Sequence, residues 1–270
     1  MATIPALAAV ALLFAATPAP AQTAVNAAPA KAKPAAAETS TKIELVAEDK
    51  RKIAASYWAP KDQKGAVPAA VLVHDAGAQR ADLNDVAERL WKQGFAVISV
   101  DLRGHGESQG TDKAWAELSE EEHAKAWAFC LRDVKAAADW IGKQSGVHSS
   151  NVSLLGDRAG CTLVTRYAMR DENVRSLVLL DPQVEQLGFN LAKDIASLAG
   201  LPTYIAATKE SAPKAQTIAE SGEKANEGNK FIEIALFKGA PVMPTTDKTL
   251  VAGIAKFMST QANPEKAAKK

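Results

Sequence analysis

The sequence predicts an α/β protein: a three-layer α/β/α sandwich around a mostly parallel, eight-stranded sheet. Short apolar runs typical of buried strands alternate along the chain with segments whose apolar residues recur at helical spacing. The composition fits one globular domain, because 47% of the 270 residues are hydrophobic and 23% are charged. No insertion between the predicted elements is long enough to form a separate cap domain.

The N-terminal residues 1–21 have the pattern of a secretory signal peptide. Ala6–Ala16 is an apolar run of suitable length, and Ala19-Pro20-Ala21 has the small residues of a cleavage site before Gln22. The run is too short to span a bilayer comfortably. We therefore expect export, to the periplasm or to the medium. The alternative is an uncleaved alanine-rich tail, because no Lys or Arg precedes the apolar run.

The rest of the chain divides into a tether, a domain and a tail. Residues 22–41 are rich in Ala, Pro and Lys and have no apolar face to bury, which is typical of a flexible linker. The folded domain is expected over 42–260, followed by a disordered tail over 261–270. Lys and Arg total 32 against 31 Asp and Glu, and no basic cluster indicates nucleic-acid binding.

Eight strands are predicted, the first two as a hairpin at the sheet edge. In chain order they are KIELVA, KIAASYWA, AAVLVH, FAVISVD, Val152–Leu155, RSLVLLD, PTYIAAT and KFIEIALF. The segments between them predict covering helices.

Helix signals are clearest at four places. One helix has Leu83, Val86, Ala87, Leu90 and Trp91 on one face, with Gly94 as its C-terminal cap. A single long helix is predicted after the Ser119-x-x-Glu122 capping box, burying Trp127, Cys130, Leu131, Val134, Ala138 and Ile141. Two later helices are predicted over Ala212–Ala225 and at the C-terminus, the last with Leu250, Val251, Ile254, Phe257 and Met258 inward.

The fifth strand runs into Gly156-x-x-x-Gly160, the frame of a nucleophile elbow. The centre of that frame is Arg158, whose guanidinium stays protonated and cannot attack a carbonyl. Shifting the register to make Asp157 the nucleophile would place Leu155 where the turn needs a small residue. The sequence therefore predicts an elbow without a nucleophile.

Three segments carry a resemblance to a known family: VLVHDAG, DLRGHGES and Gly156-x-x-x-Gly160. In this order they resemble the α/β-hydrolase fold family, and most closely its small cap-less members near the dienelactone hydrolases and the serine esterases or peptidases. The resemblance covers residues 42–260. It implies the α/β-hydrolase fold and the chain order nucleophile, acid, histidine, each at the carboxyl end of a different strand.

The resemblance also implies that this chain is a catalytically degenerate member. It places Arg158 at the nucleophile position, Glu210 near the acid position and Val242, in FKGAPVMP, at the histidine position. The four histidines, His74, His105, His123 and His148, all precede the elbow. Losing nucleophile and base together leaves a rate orders of magnitude below that of a working hydrolase, so we predict no catalytic residues.

The predicted binding residues are Arg158, His74, Asp75 and Asp157. Arg158 is expected at a tight turn opening a helix, where helix dipole and guanidinium together favour an anion. Asp75 or Glu210 can supply that anion from within the chain, and an external carboxylate or phosphate is the alternative. The internal plug is favoured because Asp75 stands where the family has glycine beside the oxyanion hole. An anionic small molecule or a protein is the expected partner.

The two cysteines are weaker candidates. Cys161 lies beyond the elbow centre and is expected to be a buried, inert thiol. Whether Cys130 and Cys161 pair is left open by the sequence. No H-x-x-H or C-x-x-C spacing indicates a metal site, and no cofactor is predicted.

Three functions are compatible with these observations. The favoured one is a non-catalytic, exported protein that binds a ligand or partner with the vestigial pocket. The second is a hydrolase with an unconventional constellation, and the third is a structural or assembly role.

Overall fold

The structure, a computed structural model, describes residues 40–61, 65–110, 113–198, 200–238 and 247–262. The predicted signal peptide, most of the tether and tail, and Val242 lie outside these residues. Within them, no helix combines the length and the apolar character that crossing a membrane requires.

Ten strands are present in the described residues. In chain order they are β1 Thr41–Val46, β2 Lys52–Trp58, β3 Val67–Val73, β4 Ala96–Val100, β5 Val147–Asp157, β6 Val174–Leu180, β7 Glu185–Gln186, β8 Phe189–Asn190, β9 Thr203–Ala207 and β10 Ile232–Leu236. The α-helices are α1 Asn84–Lys92, α2 Glu120–Phe129, α3 Leu131–Ile141, α4 Gly160–Ala168, α5 Leu191–Ala196, α6 Ala212–Ala225 and α7 Lys248–Ala262.

Eight of the strands form one sheet in the order β1-β2-β4-β3-β5-β6-β9-β10. β2 runs antiparallel to both β1 and β4, and the remaining neighbours are parallel. The predicted eight-stranded, mostly parallel sheet is confirmed. Because β3, β5, β6 and β9 are parallel, the loops that follow them meet at one edge of the sheet.

Both faces of the sheet are covered, as the three-layer prediction requires. One face packs against buried side chains of α2 to α6, including Trp127, Val164 and Ile218. The other face packs against α1 and α7. The inward residues predicted for the last helix are buried there, because apolar side chains at helical spacing share one side of a helix.

The predicted long helix is interrupted and consists of α2 and α3. The capping box at its start is present: Ser119 Oγ accepts from the Glu122 amide, and the Glu122 carboxylate accepts from the Ser119 amide. At Cys130 the amide donates to the Trp127 carbonyl three residues earlier, at 3.0 Å, which tightens the last turn of α2. Cys130 thus separates α2 from α3, and Leu131, predicted to be buried, is only half-buried.

Two further differences concern strand extent. β5 begins at Val147, earlier than predicted, because Val147 pairs with Val67 before an irregularity shifts the register. The short antiparallel pair β7 and β8 was not predicted; its turn is at Leu187 and Gly188, both with positive φ. Neither difference moves the edge of the sheet where the candidate site lies.

Candidate functional site

A sharp turn connects β5 to α4, and two glycines make it possible. A Cβ on Gly156 would lie 2.6 Å from the Cys161 amide nitrogen, and one on Gly160 would lie 2.6 Å from the Val73 carbonyl oxygen. Backbone atoms cannot yield as a flexible side chain can, so α4 starts this close to β3 only with glycine at both positions. Between them Arg158 has φ 43°, a left-handed conformation that is uncommon for a residue with a Cβ.

The side chain of Arg158 is held by two carboxylates. Its Nε donates to Asp75 Oδ2 at 2.6 Å, and its Nη2 lies 3.3 Å from Asp157 Oδ2. The side chains of Arg158 and Asp75 are 20% and 17% exposed, so the pair is largely shielded from water. The ion pair predicted between Arg158 and Asp75 is therefore present.

Asp75 has a second contact at the same turn. Its Oδ1 accepts from the Ala159 amide at 2.9 Å. That amide belongs to the residue after the apex and opens α4, where unsatisfied amides and the helix dipole favour an anion. Glu210, the other carboxylate predicted as a plug, is exposed and has no ion-pair partner among the described residues.

Asp157 and Asp181 are buried carboxylates beside the turn that contains Arg158. They are 4% and 2% exposed, and in each the Oδ1 atom has no hydrogen-bond partner among the described residues. Burial raises the pKa of Asp157 to about 7; the Arg158 charge opposes this shift, while the carboxylates of Asp75, Asp181 and Asp82 add to it. Asp157 is thus poised between its charged and neutral forms near neutral pH.

Asp181 was missed by sequence reasoning. It follows β6 directly, at φ 47°, beside the turn that contains Arg158: the Arg158 amide donates to the carbonyl of Leu180 at 2.8 Å. The available signal was its position, a carboxylate immediately after a buried parallel strand.

His74 is buried and connects two loops. The Leu102 amide donates to its Nε2 at 3.0 Å, so the proton is on Nδ1, which donates to the Asp75 carbonyl at 2.6 Å. Burial is the main cause of lowering its pKa to about 4, so the ring is neutral at pH 7. His74 therefore fixes the backbone of Asp75 and does not contact the Arg158 guanidinium.

The DLRGHGES segment is organised around Asp101 and Arg80. Asp101 forms a buried ion pair with the Arg80 guanidinium and accepts from the amides of Arg80 and Glu107 at 2.7 and 2.9 Å. A Cβ on Gly106 would lie 2.4 Å from the Asp101 carboxylate. These contacts hold the loop after β4 in place and give Asp101 and Gly106 a structural role.

Both thiols are free and fully buried. Cys161 Sγ lies 3.2 Å from the Gly156 carbonyl, and burial raises its pKa well above the usual range. Burial has the same effect on Cys130. Neither thiol has the lowered pKa of a nucleophile.

No group of three or more His, Cys, Asp or Glu side chains in the described part of the chain is arranged to hold a metal ion.

Comparison with known proteins agrees with the fold. A family model described as "Serine aminopeptidase, S33" matches residues 63–221, more than half of the chain. The chain belongs to this α/β-hydrolase family. No curated protein sequence matches it.

Solved structures of α/β hydrolases are similar in fold. An esterase from Pyrococcus furiosus has a TM-score of 0.65 at 16% identity, covering 82% of this chain and 90% of its own. A structure described as a dienelactone hydrolase from Klebsiella pneumoniae has a TM-score of 0.65 at 16% identity, covering 83% and 99%. Est1E from Butyrivibrio proteoclasticus, with ferulic acid bound, has a TM-score of 0.64 at 15% identity, covering 80% and 98%. At these identities the likeness shows the fold alone.

In this α/β-hydrolase-family chain, the sheet edge brings together three of the four predicted binding residues. Arg158, Asp75 and Asp157 are in contact, whereas His74 acts through the backbone of Asp75. Glu210 stands apart, and Val242 is outside the described residues. Asp181 and Asp82 also act on the site, because their charges raise the pKa of Asp157.

Proposed function

We propose that this α/β-hydrolase-family protein is non-catalytic and binds an anionic ligand at the turn between β5 and α4. The observation that carries the proposal is the Asp75 carboxylate, which contacts both the Arg158 guanidinium and the Ala159 amide. In a hydrolase of this fold the amide after the nucleophile stabilises the oxyanion of the transition state. Here that amide already donates a hydrogen bond to the carboxylate of Asp75.

Three further features support the absence of catalysis. The guanidinium of Arg158 stays protonated and cannot act as a nucleophile. No histidine follows His148 in the chain, so the position after the last strand has no imidazole to serve as base. The nearby thiol of Cys161 is buried and its pKa is raised, so it does not substitute for a serine.

The contacts of the Asp75 carboxylate indicate which class of ligand could bind. A carboxylate fits between the guanidinium and the amide at 2.6 and 2.9 Å. A carboxylate or phosphate group of a small molecule can make the same two contacts if it displaces Asp75. In this proposal Asp75 is an internal competitor that occupies the site when no ligand is bound. Because residues 1–21 predict export, the protein would meet its ligand in the periplasm or in the medium.

The test of non-catalysis uses the purified protein with a fluorophosphonate probe and p-nitrophenyl acetate. We expect no covalent labelling and no turnover above the blank, in the wild type and in Arg158→Ala. Labelling at any serine, or turnover that survives Arg158→Ala, would establish an unconventional hydrolase instead.

The test of binding uses acetate as the probe and the Ala159 amide resonance as the readout. Asp75→Ala removes the competitor, so acetate should bind more tightly to this variant than to the wild type. Asp194→Ala is the matched control, because it frees Arg166 from a similar ion pair of 2.6 Å elsewhere. Equal acetate affinity in the two variants would contradict the binding site and favour a structural or assembly role.

A further inference from the structure

The charges around Arg158 do not balance. Four carboxylates act on this part of the site: Asp157 on the turn itself, Asp75 after β3, Asp181 after β6 and Asp82 in the short helical turn before α1. Arg158 is the cation among them. Asp157 and Asp181 are buried, Asp75 is half-buried and Asp82 is exposed. Burying two like charges near one cation is unfavourable unless one of them is neutralised.

Asp157 is the carboxyl best placed to be neutralised. Only 4% of the residue is exposed, and its Oδ2 lies 3.3 Å from Arg158 Nη2 while its Oδ1 has no partner among the described residues. An ionised carboxylate with an unsatisfied buried oxygen carries a desolvation cost that a protonated one avoids.

We propose that Asp157 is a proton-operated latch on the Arg158 guanidinium. When Asp157 is ionised, Arg158 is held by two carboxylates, through Nε to Asp75 and through Nη2 to Asp157. When a solvent proton is added to Asp157, the charge attraction at Nη2 is lost, while the ion pair of Nε with Asp75 remains. The proton is therefore the regulator that loosens the closed site.

The consequence for binding rests on the proposed function. Protonation removes one negative charge beside the guanidinium, so an anion meets less repulsion there. Anionic ligands are then bound more tightly on the acidic side of neutrality than on the basic side.

The position of the Asp157 titration supports the latch. Its folded-state pKa of about 7 lies above the ordinary value of 3.8, so the folded protein holds this proton more tightly than the unfolded chain does. The stabilising proton is fully present below the unfolded pKa and is lost as the pH rises through about 7.

A double-mutant cycle without any ligand tests the latch. Thermal melts of the wild type, Arg158→Gln, Asp157→Asn and the double variant are compared at about pH 5.5 and about pH 8.5. Asp157→Asn mimics the protonated carboxyl. We expect the melting temperatures to be non-additive by about 2–4 °C at the higher pH and additive at the lower pH.

The ion pair of Arg166 with Asp194 is the control for general effects of pH on an Arg–Asp pair. Three outcomes would overturn the latch. The coupling energy between Arg158 and Asp157 could be equal at both pH values, or absent at the higher pH. It could also change with pH by as much as the coupling energy of the control pair. If a variant does not fold, carboxyl NMR of wild-type Asp157 decides, and a titration midpoint near the ordinary 3.8 would overturn it.

These failures are distinguishable from failure of the proposed function. The cycle contains no ligand, so a failed latch leaves the anion site untouched. Acetate that binds at neither pH contradicts the anion site and leaves the latch intact.

Discussion

Asp75 is the residue on which the candidate site depends. Its side chain neutralises Arg158 and occupies the Ala159 amide, while its carbonyl accepts from His74. Arg158 and Asp181, at the ends of adjacent strands, both have left-handed backbones without being glycine. Such conformations cost about 1–3 kcal/mol each and persist where surrounding contacts fix them. At Arg158 the ion pairs with Asp75 and Asp157 are such contacts.

Removing the Arg158 side chain should destabilise the protein. Arg158→Ala leaves the partly buried carboxylate of Asp75 without its cation, so we expect a loss of about 1 kcal/mol or more in the free energy of unfolding. Asp75→Asn should also be destabilising. Because the two side chains share one ion pair, the double variant should lose less than the sum of the single losses, as measured by thermal melts.

Strictly additive losses would show that Arg158 and Asp75 are not energetically coupled and that the plug is wrong. Arg166→Ala with Asp194→Asn is the matched cycle at the other 2.6 Å pair. It gives the coupling of an Arg–Asp contact that has no role in the proposed site.

At the scale of elements, the decisive contact is between the start of α4 and the end of β3. α4 is apolar on the face it buries, and Gly160 lets its first turn rest on the carbonyls of Val73 and His74. This close approach sets where the Ala159 amide points. The β5 to α4 turn is therefore positioned by backbone packing, and the carboxylates then adapt to it.

Gly160→Ala should destabilise the protein strongly. The added Cβ would lie 2.6 and 2.7 Å from two backbone oxygens, so α4 must move away from β3. Overpacking of this kind costs about 1–3 kcal/mol or more, measured by denaturant unfolding. The matched control is Gly253→Ala in α7, whose nearest contact would be the hydroxyl end of Tyr204 at 3.0 Å.

Helix propensity favours alanine at Gly253 by up to about 1 kcal/mol, so that control should be neutral or stabilising. Equal destabilisation by the two substitutions would mean that the effect at Gly160 is not steric. A Gly160→Ala variant that retains wild-type stability would show that α4 can shift freely relative to β3.

At the scale of the whole molecule, membership of the α/β-hydrolase family fixes the fold, whereas the chemistry is set by the side chains at one sheet edge. In this chain that edge carries the buried carboxylates of Asp157 and Asp181 beside the ion pair of Arg158 with Asp75. The same frame that presents a nucleophile in a hydrolase here presents a cation.

Processing at the N-terminus is the prediction for the intact chain. The apolar run Ala6–Ala16 and the small residues before Gln22 predict cleavage on export, because a signal peptidase recognises small side chains at that site. Intact-mass measurement of the exported, soluble protein should give an N-terminus at or near Gln22. Detection of Met1 in that mature pool would refute the prediction, and Ala21→Trp, which blocks the small-residue site, should prevent cleavage.

The sequence by itself determined the chain order of the eight strands of the large sheet, the bounds of α6 and the residue at the apex of the turn. These depend on local signals: apolar periodicity, the Ser119 capping box and glycine at positions that need it. The absence of histidine after His148 also required no structure. The separation of α2 from α3 at Cys130 could be found only from the structure, because the apolar pattern of the sequence runs through Cys130 without interruption.

Only the tertiary structure decided which carboxylates surround Arg158. Asp75 is 83 residues from Arg158 in sequence, and the two residues are in contact because β3 pairs with β5. Asp181 lies beside the same turn because β5 pairs with β6. The raised pKa of Asp157 depends on burial and on the field of those neighbours. Burial and electrostatic coupling are properties of positions in space, so a pattern along the chain reveals the residue types but not the charge state they acquire together.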